Sequence, residues 1–217
     1  MSESPSTIPR KRPQVAPQVT IQRPPVAIQR HTINEILEKC LTVVDIKYDL
    51  PITANKGKPG QFLEDLLGIP HSSECLDCLD GEVKTFPLKM LKNGTFVPKE
   101  TIAVTMLNKD ELATNDFTSS KCYKKLSKVL LVPYYRTDDT IKFLTPKLVD
   151  KDSAEDIYKI LETDYNEIRK KYLDTGDFSS STGTLLQNRT KGAGHGSTSR
   201  AFYLRQEFMK RCMTFSS

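Results

Sequence analysis

Three acidic residues and a lysine lie close together in the segment from Asp77 to Lys84. On a β-strand, side chains two positions apart share a face, so Glu82 and Lys84 point together while Val83 points toward the core. Asp77, in the preceding turn, can reach the same place. Carboxylate oxygens bind hard divalent cations such as Mg²⁺, and an ammonium group beside them can polarise water and stabilise a pentavalent phosphorane. The pattern predicts a magnesium centre that hydrolyses phosphodiesters.

Asp80 is an alternative to Asp77 as the metal ligand. The dipeptide Asp80-Gly81 is typical of a turn, which favours Asp77. The two carboxylates remain alternatives at this point.

Cys75 and Cys78 form a C-x-x-C pair around Asp77. A zinc site needs two more ligands, for which His71 and Cys122 are the candidates, and no second C-x-x-C exists. A redox-labile pair and ordinary packing are the other interpretations, and packing is favoured. The three histidines occupy a tail, a turn and a loop, which gives no support to a nucleophilic triad.

The elements that must position these side chains begin with two helices. Thr32-Ile-Asn-Glu35 is a capping box that predicts a helix start. Residues 61–68 predict a short helix ended by Gly68, with Glu64 at the margin of its buried face. Glu64 therefore lies one short connection before the acidic segment.

Strand patterns follow. Residues 82–88, a turn at Asn93-Gly94 and residues 101–106 predict an antiparallel pair. Residues 129–135 and 141–144 add two further strands. A long helix is predicted from Ser153 to near Asp174, then a loop over 175–200, and finally a strand or helix over 201–211. Helices on either side of a sheet indicate a mixed α/β domain.

Composition and charge set the boundaries of the domain and its setting. The chain has 217 residues, 37% apolar residues, five cysteines and a net charge of +5. There is no apolar run long enough for a membrane span and no signal-peptide pattern. The odd cysteine count fits a reducing compartment, so we expect an intracellular protein that does not enter membranes.

Residues 1–31 differ from the remainder of the chain. They carry a net charge of +4 and six of the thirteen prolines, which predicts a disordered or extended basic tail before a folded domain over 32–217. The sequence Pro9-Arg-Lys-Arg-Pro13 matches a nuclear import signal or a DNA-tethering arm, but the pattern is short, and a basic tail without a specific role is the favoured interpretation.

Four motifs in order carry a family resemblance. They are Gly60-Gln-Phe-Leu-Glu64-x-x-Leu-Gly68, Asp77-x4-Glu82-x-Lys84-Thr, Lys125-Leu-x-x-Val-Leu-x-Val-Pro and Phe202-Tyr-Leu-Arg. Together they resemble the MutH family of the PD-(D/E)xK nuclease superfamily, over about residues 50–212. That family contains the methyl-directed mismatch-repair nickase and restriction endonucleases that cut at GATC. The resemblance implies a restriction-endonuclease-like fold, with a central mixed β-sheet flanked by helices.

The resemblance also implies roles for the residues of the metal centre. Asp77 and Glu82 match the metal-binding acids, with the Val83 carbonyl as a further ligand, and Lys84 matches the catalytic lysine. Glu64 matches an acid that helps to bind a second metal. Lys125 matches a lysine near the scissile phosphate. The implied cofactor is Mg²⁺, for which Mn²⁺ can substitute.

The implied DNA contacts come from other segments. Arg189 and Lys191 resemble the loop that reads bases, and Tyr203 matches a tyrosine placed against the adenine methylation position. Glu100 resembles an acid near the site. The glycine-rich segment 192–196 adds His195 as a candidate phosphate contact, although the segment is not a P-loop.

These observations predict a DNA endonuclease specific for a short site such as GATC, acting on double-stranded DNA. A type II restriction enzyme pairs on a palindrome as a homodimer and requires a cognate methyltransferase. The alternatives are a methyl-directed repair nickase activated by a MutL-type protein, and a non-cleaving DNA-binding protein that keeps the fold. The basic tail has no role in the repair pattern and favours restriction.

Overall fold

A computed structural model of the chain describes residues 30–71, 74–192 and 198–215. The basic tail up to residue 29, with its import-like sequence, and His195 lie outside these residues. Among the residues that are described, no helix is long and apolar enough to cross a membrane.

The described residues form helices and strands in an interleaved order. The helices are α1 (Ile33–Val43), α2 (Lys58–Leu67), α3 (Lys109–Thr114), α4 (Lys121–Leu126), α5 (Glu155–Thr175) and α6 (Gln206–Cys212). The strands are β1 (Lys47–Asp49), β2 (Glu82–Met90), β3 (Phe96–Pro98), β4 (Ile102–Met106), β5 (Lys128–Thr137), β6 (Thr140–Phe143), β7 (Lys147–Asp150), β8 (Leu186–Thr190) and β9 (Arg200–Leu204).

The central sheet is mixed. Its order is β1-β6-β5-β2-β3, with β7 also paired to β5. Strands β2 and β5 run parallel, with Glu82 opposite Val129, while the other pairs in this sheet are antiparallel. A second sheet has the order β4-β9-β8 and is antiparallel. The predicted fold class, a mixed α/β domain with a mixed central sheet flanked by helices, is confirmed.

The core has two parts, one on each face of the central sheet. On one face, α1 and α2 pack Ile36 and Leu63 against Val83 and Val132. On the other face, α4, α5, α6 and the second sheet pack around Phe86 and Leu131. The parallel strands β2 and β5 are buried on both faces, which is typical of parallel pairing. Packing on both faces fixes the position of the first residues of β2.

Local signals in the sequence account for both helices next to the site. Thr32 and Glu35 form the complete capping box at the start of α1. Helix α2 ends at Gly68, which has the left-handed conformation (φ 68°) that glycine adopts without a steric penalty. Both predicted helix ends are confirmed, and Glu64 lies within α2.

Two predictions of the strand arrangement are corrected by the structure. The predicted pairing of residues 82–88 with 101–106 is wrong, because the turn at Asn93-Gly94 leads β2 into the short strand β3, and β4 pairs with β9 instead. The predicted loop over 175–200 contains strand β8. Residues 201–211, predicted as a strand or a helix, form most of β9 and then α6. Alternating apolar residues predict a strand but do not identify its partner, which is set here by contacts distant in sequence.

Candidate active site

Glu82 is the centre of the candidate site. It is the first residue of β2, and only 1% of its surface is exposed. Its Oε1 accepts hydrogen bonds from Lys84 Nζ at 2.5 Å and Lys125 Nζ at 2.6 Å. A buried carboxylate needs such compensation because desolvation destabilises its charged form. Lys84 comes from the same strand and Lys125 from the last turn of α4, so the ends of two elements converge on one oxygen.

Asp77 lies beside Glu82 in the loop before β2. Its Oδ2 accepts a hydrogen bond from the Val83 N–H at 3.0 Å, and its own N–H is 3.3 Å from Glu82 Oε2. Burial, followed by the negative charge of Glu82, raises the pKa of Asp77 above its ordinary value. Raised carboxylate pKa values from burial and like charges are frequent at functional sites.

Asp80, the alternative ligand, is engaged elsewhere. Its Oδ1 accepts the Ile33 N–H at 2.7 Å, and its Oδ2 accepts from Lys128 Nζ at 2.8 Å. Desolvation by itself raises the pKa of Asp80, but these two hydrogen bonds outweigh it, and the net pKa is lowered. Both carboxylate oxygens of Asp80 are therefore used, one at the start of α1 and one at the start of β5. This supports Asp77 as the candidate metal ligand.

Glu64 faces the same centre from α2 and is half-buried. Burial, followed by the charge of Asp77, raises its pKa. His71 lies next to it, with Nδ1 3.3 Å from Glu64 Oε2 and Nε2 3.0 Å from Asp65 Oδ1. The structure thus gives His71 two carboxylate neighbours that the sequence did not indicate.

The residues present fit a hard divalent cation by their chemistry. Asp77, Glu82 and Glu64 offer oxygen donors. Burial, followed by the charge of a neighbouring carboxylate, raises the pKa values of Asp77 and Glu64. Within residues 30–71, 74–192 and 198–215, no group of three or more His, Cys, Asp or Glu side chains is already arranged to hold a metal ion. In the structure, Lys84 and Lys125 supply the positive charge next to Glu82.

The cysteines are free thiols. Cys78 packs in the core between α1, α2 and the central sheet, and burial raises its pKa to about 12. Cys122 packs in the core on the opposite face, so it does not join Cys78 in one site. Apolar packing therefore accounts for Cys78 and Cys122.

The proposed DNA-reading residues gather on the second sheet. The Arg189 guanidinium lies over the Tyr203 ring, 5.6 Å from its centroid, and Nη1 donates to Thr101 Oγ1 at 3.1 Å. Lys191 is exposed just after β8, where its N–H donates to Ser199 O at 2.8 Å. Glu100 precedes Thr101 and lines a cleft of about 250 Å³. The structure therefore brings Arg189 and Tyr203 together.

Two supporting residues were missed by the sequence patterns. Lys128 pairs with Asp80. Asp164 of α5 is 2% exposed and accepts the N–H groups of Thr184, Leu185 and Leu186 at 2.7, 2.6 and 2.8 Å, which fixes the chain as it enters β8. The sequence pattern that could have identified Asp164 is an acidic residue on the buried face of an amphipathic helix.

Comparison with known proteins supports the family resemblance. Residues 71–171 match the family model described as DNA mismatch repair enzyme MutH. The segment contains Asp77, Glu82, Lys84 and Lys125, so the resemblance inferred from the motifs is confirmed there. A search of curated proteins returned no match.

A solved structure with similarity to this chain is a restriction endonuclease MvaI–cognate DNA substrate complex. Its sequence is 12% identical, the match covers 85% of this chain and 97% of that chain, and the TM-score is 0.44.

Proposed function

We propose that this chain, whose residues 71–171 are similar to the DNA mismatch repair enzyme MutH, is a Mg²⁺-dependent, sequence-specific DNA endonuclease that cuts at GATC. The observation that carries the proposal is the buried Glu82 carboxylate, bonded to two ammonium groups beside a desolvated Asp77. A protein that only binds DNA gains nothing from buried carboxylates near phosphate, since like charges repel. A nuclease uses them as metal ligands.

The proposed roles follow from the contacts. Asp77, Glu82 and Glu64 hold the Mg²⁺ ions, with the Val83 carbonyl as a further ligand, and Mn²⁺ can replace Mg²⁺. When bound, the divalent cation lowers the pKa of water and neutralises charge on the phosphate.

The two lysines act on the substrate in this proposal. Lys84 orients the attacking water and stabilises the charge that develops on the phosphorane, and Lys125 contacts the scissile phosphate. Both ammonium groups already lie within 2.6 Å of one carboxylate oxygen, so they are positioned before DNA binds. Groups positioned in advance need no reorganisation in the transition state.

Base reading is assigned to the second sheet. A guanidinium such as that of Arg189 can bind guanine O6 and N7 together. Tyr203, whose ring lies beneath Arg189, is assigned the contact with the adenine that a methyltransferase modifies. Lys191 and Glu100 complete the proposed contacts to double-stranded DNA. A palindromic site suits a homodimer.

Within the nuclease class, we propose a type II restriction enzyme that cuts both strands of unmethylated DNA, with a cognate methyltransferase as its genetic partner. The second candidate is a methyl-directed repair nickase that a MutL-type protein activates. The family description over residues 71–171 favours this candidate. Both functions require a compartment that contains DNA.

The test is cleavage of supercoiled plasmids with unmethylated, hemimethylated or fully methylated GATC sites, with Mg²⁺ or Mn²⁺. Restriction predicts linear product from unmethylated plasmid, and a repair nickase predicts nicked circles that increase when MutL-type protein is added. Lys84→Ala should bind DNA and not cut it. If the wild type cuts no plasmid with either metal and binds DNA no differently from Lys84→Ala, the protein is a non-cleaving DNA-binding protein.

A further inference from the structure

The loop that carries Asp77 is held by a residue 46 positions earlier in the chain. Arg30 Nη2 donates to the Leu76 carbonyl at 2.6 Å and to the Cys78 carbonyl at 2.7 Å. These two carbonyls belong to the residues on either side of Asp77. One guanidinium nitrogen therefore fixes the backbone both before and after the proposed metal ligand.

The residues next to Arg30 extend this attachment. The Leu79 N–H donates to the His31 carbonyl at 2.9 Å, and the Ile33 N–H donates to Asp80 Oδ1 at 2.7 Å. We call residues 30–33 the clip. Its contacts reach loop residues 76, 78, 79 and 80 in succession, so the backbone on both sides of the Asp77 carboxylate is held.

Close packing at Gly81 leaves the loop little freedom to shift. A Cβ at this position would lie 2.9 Å from the Lys128 carbonyl and 3.0 Å from Ile33 Cβ. The clip and the start of β5 therefore enclose the loop from two sides. With the backbone in this position, the Asp77 carboxylate accepts a hydrogen bond from the Val83 N–H at 3.0 Å.

We propose that Arg30 is a positioning residue of the metal centre, which keeps the Asp77 carboxylate directed at Glu82 by holding the carbonyls of Leu76 and Cys78. The inference rests on the proposed function of this centre as a Mg²⁺ site. Residues that orient metal ligands are typically worth tenfold to a hundredfold in metal affinity. In this proposal Arg30 acts through Asp77, by way of the Leu76 and Cys78 carbonyls.

The chain offers a matched control. Arg169 makes the same kind of contact elsewhere, donating from Nε to the Leu112 carbonyl at 2.9 Å and from Nη2 to the Ala113 carbonyl at 2.8 Å. Both arginines bind two backbone carbonyls that are distant in sequence. Only Arg30 binds the carbonyls next to a proposed metal ligand.

The experiment measures Mn²⁺ binding by calorimetry and the thermal midpoint, on the full chain, for the wild type, Arg30→Ala, Arg30→Lys and Arg169→Ala. We expect Arg30→Ala to raise the Mn²⁺ dissociation constant about tenfold and Arg30→Lys to raise it less, since an ammonium can still donate to a carbonyl. Arg169→Ala should lower the thermal midpoint and leave the Mn²⁺ dissociation constant unchanged. Saturating Mn²⁺ should restore cleavage by Arg30→Ala.

The outcomes separate this inference from the proposed function. If the wild type binds Mn²⁺ and Arg30→Ala binds it equally well, Arg30 is only structural and the inference is overturned while the proposed function stands. If the wild type binds no Mn²⁺, both are overturned. If Arg30→Ala does not fold, Arg30→Lys decides: weaker Mn²⁺ binding than the wild type supports the inference, and unchanged binding overturns it.

Discussion

Two regions of the molecule handle charge in opposite ways. In the proposed cleavage cluster (Asp77, Glu82, Lys84 and Lys125; the cleavage cluster), the carboxylate of Glu82 is buried and carries two ammonium partners. In the hairpin proposed to read bases (β8 and β9; the reading hairpin), Arg189 is exposed, and its described contacts are the Thr101 hydroxyl and the Tyr203 ring. Charge is enclosed in the first region and presented to solvent in the second.

The difference corresponds to the two proposed tasks. Hydrolysis requires groups fixed before the substrate arrives, and burial supplies that fixation. Reading bases requires side chains that can exchange their contacts for contacts with DNA, so weak partners are an advantage. The hairpin is nevertheless anchored where it begins, because Asp164 holds three N–H groups at the entry to β8.

The largest effect should come from neutralising the cleavage cluster. Glu82→Gln removes the charge between two ammonium groups, and we expect cleavage to fall about 10³-fold, since a metal ion contributes several kcal/mol and each ~1.4 kcal/mol is tenfold. Loss of one partner from a buried ion pair should also lower the free energy of unfolding by about 3 kcal/mol. Single-turnover kinetics measure the cleavage rate, and denaturant unfolding measures the free energy of unfolding.

The control for Glu82→Gln is Glu207→Gln, which removes an exposed pair with Arg211. We expect it to change neither cleavage nor stability appreciably. Cleavage by Glu82→Gln at the wild-type rate would contradict the assignment of Glu82 as a metal ligand.

A substitution at the anchored base of the reading hairpin should lower the free energy of unfolding about as much as Glu82→Gln does. Gly183 has φ +84°, and a Cβ there would lie 1.9 Å from the Leu186 carbonyl and 3.2 Å from Asp164. Gly183→Ala should therefore reduce the free energy of unfolding by about 3 kcal/mol or more and weaken DNA binding. Gly94 has the same φ with no atom within 4 Å, so Gly94→Ala should cost only about 1 kcal/mol.

Denaturant unfolding of both variants separates the steric clash from the backbone strain. If Gly183→Ala and Gly94→Ala lower the free energy of unfolding equally, the cost at Gly183 comes from its positive φ alone and not from close packing. The base of the hairpin would then not be rigidly packed as the cleavage cluster is.

The exposed end of the hairpin should affect selectivity without affecting stability. Arg189→Ala is expected to reduce the preference for the cognate site over a site with one changed base pair by about tenfold to a hundredfold, since one bidentate base contact is worth about 1–3 kcal/mol. Cleavage rates on paired oligonucleotides measure this ratio. Arg211→Ala, at an exposed arginine of α6, should leave the ratio unchanged, and an unchanged ratio in Arg189→Ala would remove Arg189 from base reading.

The smallest expected effects are on the free energy of unfolding, and they should be opposite in sign for Asp77→Asn and Asp80→Asn. Burial raises the pKa of Asp77, so its ionised form destabilises the folded state, and Asp77→Asn should raise the free energy of unfolding at pH 7. This gain shrinks as the pH falls through the raised pKa and vanishes below about 3.9, the ordinary value.

Asp80→Asn should do the reverse. Desolvation alone would raise its pKa, but the hydrogen bonds from Lys128 and Ile33 prevail and lower it, so ionised Asp80 stabilises the folded state and its replacement destabilises at pH 7. That loss disappears as the pH falls through the lowered pKa. Thermal midpoints measured between pH 3 and 8 give both signs, and the same sign in both variants would refute the distinction between the two carboxylates.

The sequence predicted the contact of Glu82 with Lys84 better than the strand pairing around it, for a physical reason. The relation of Glu82 to Lys84 depends only on strand periodicity, and Gly68 and the Thr32 capping box mark helix ends locally. The choice of Asp77 over Asp80 rested on turn chemistry, and the contacts of Asp80 with Ile33 and Lys128 now support it.

The features that the sequence did not predict depend on contacts between segments far apart in the chain. The pairing of β4 with β9 and the parallel pairing of β2 with β5 join strands far apart in sequence. Strand β8 lies in a segment rich in Gly, Ser and Thr, whose composition alone predicts a loop, and it is positioned by Asp164 from α5. The contact of Arg30 with the Asp77 loop has no local sequence signal.

The pairing of Lys125 with Glu82 also has a consequence for how the protein matures. These residues are 43 positions apart, and Arg30 lies a further 46 positions before the loop it holds. Contacts of such separation form slowly, because a long segment of chain must be ordered first. During synthesis, the proposed nuclease centre cannot close until Lys125 of α4 has left the ribosome, so a truncated chain that ends before Lys125 should be harmless to the DNA of the cell that makes it.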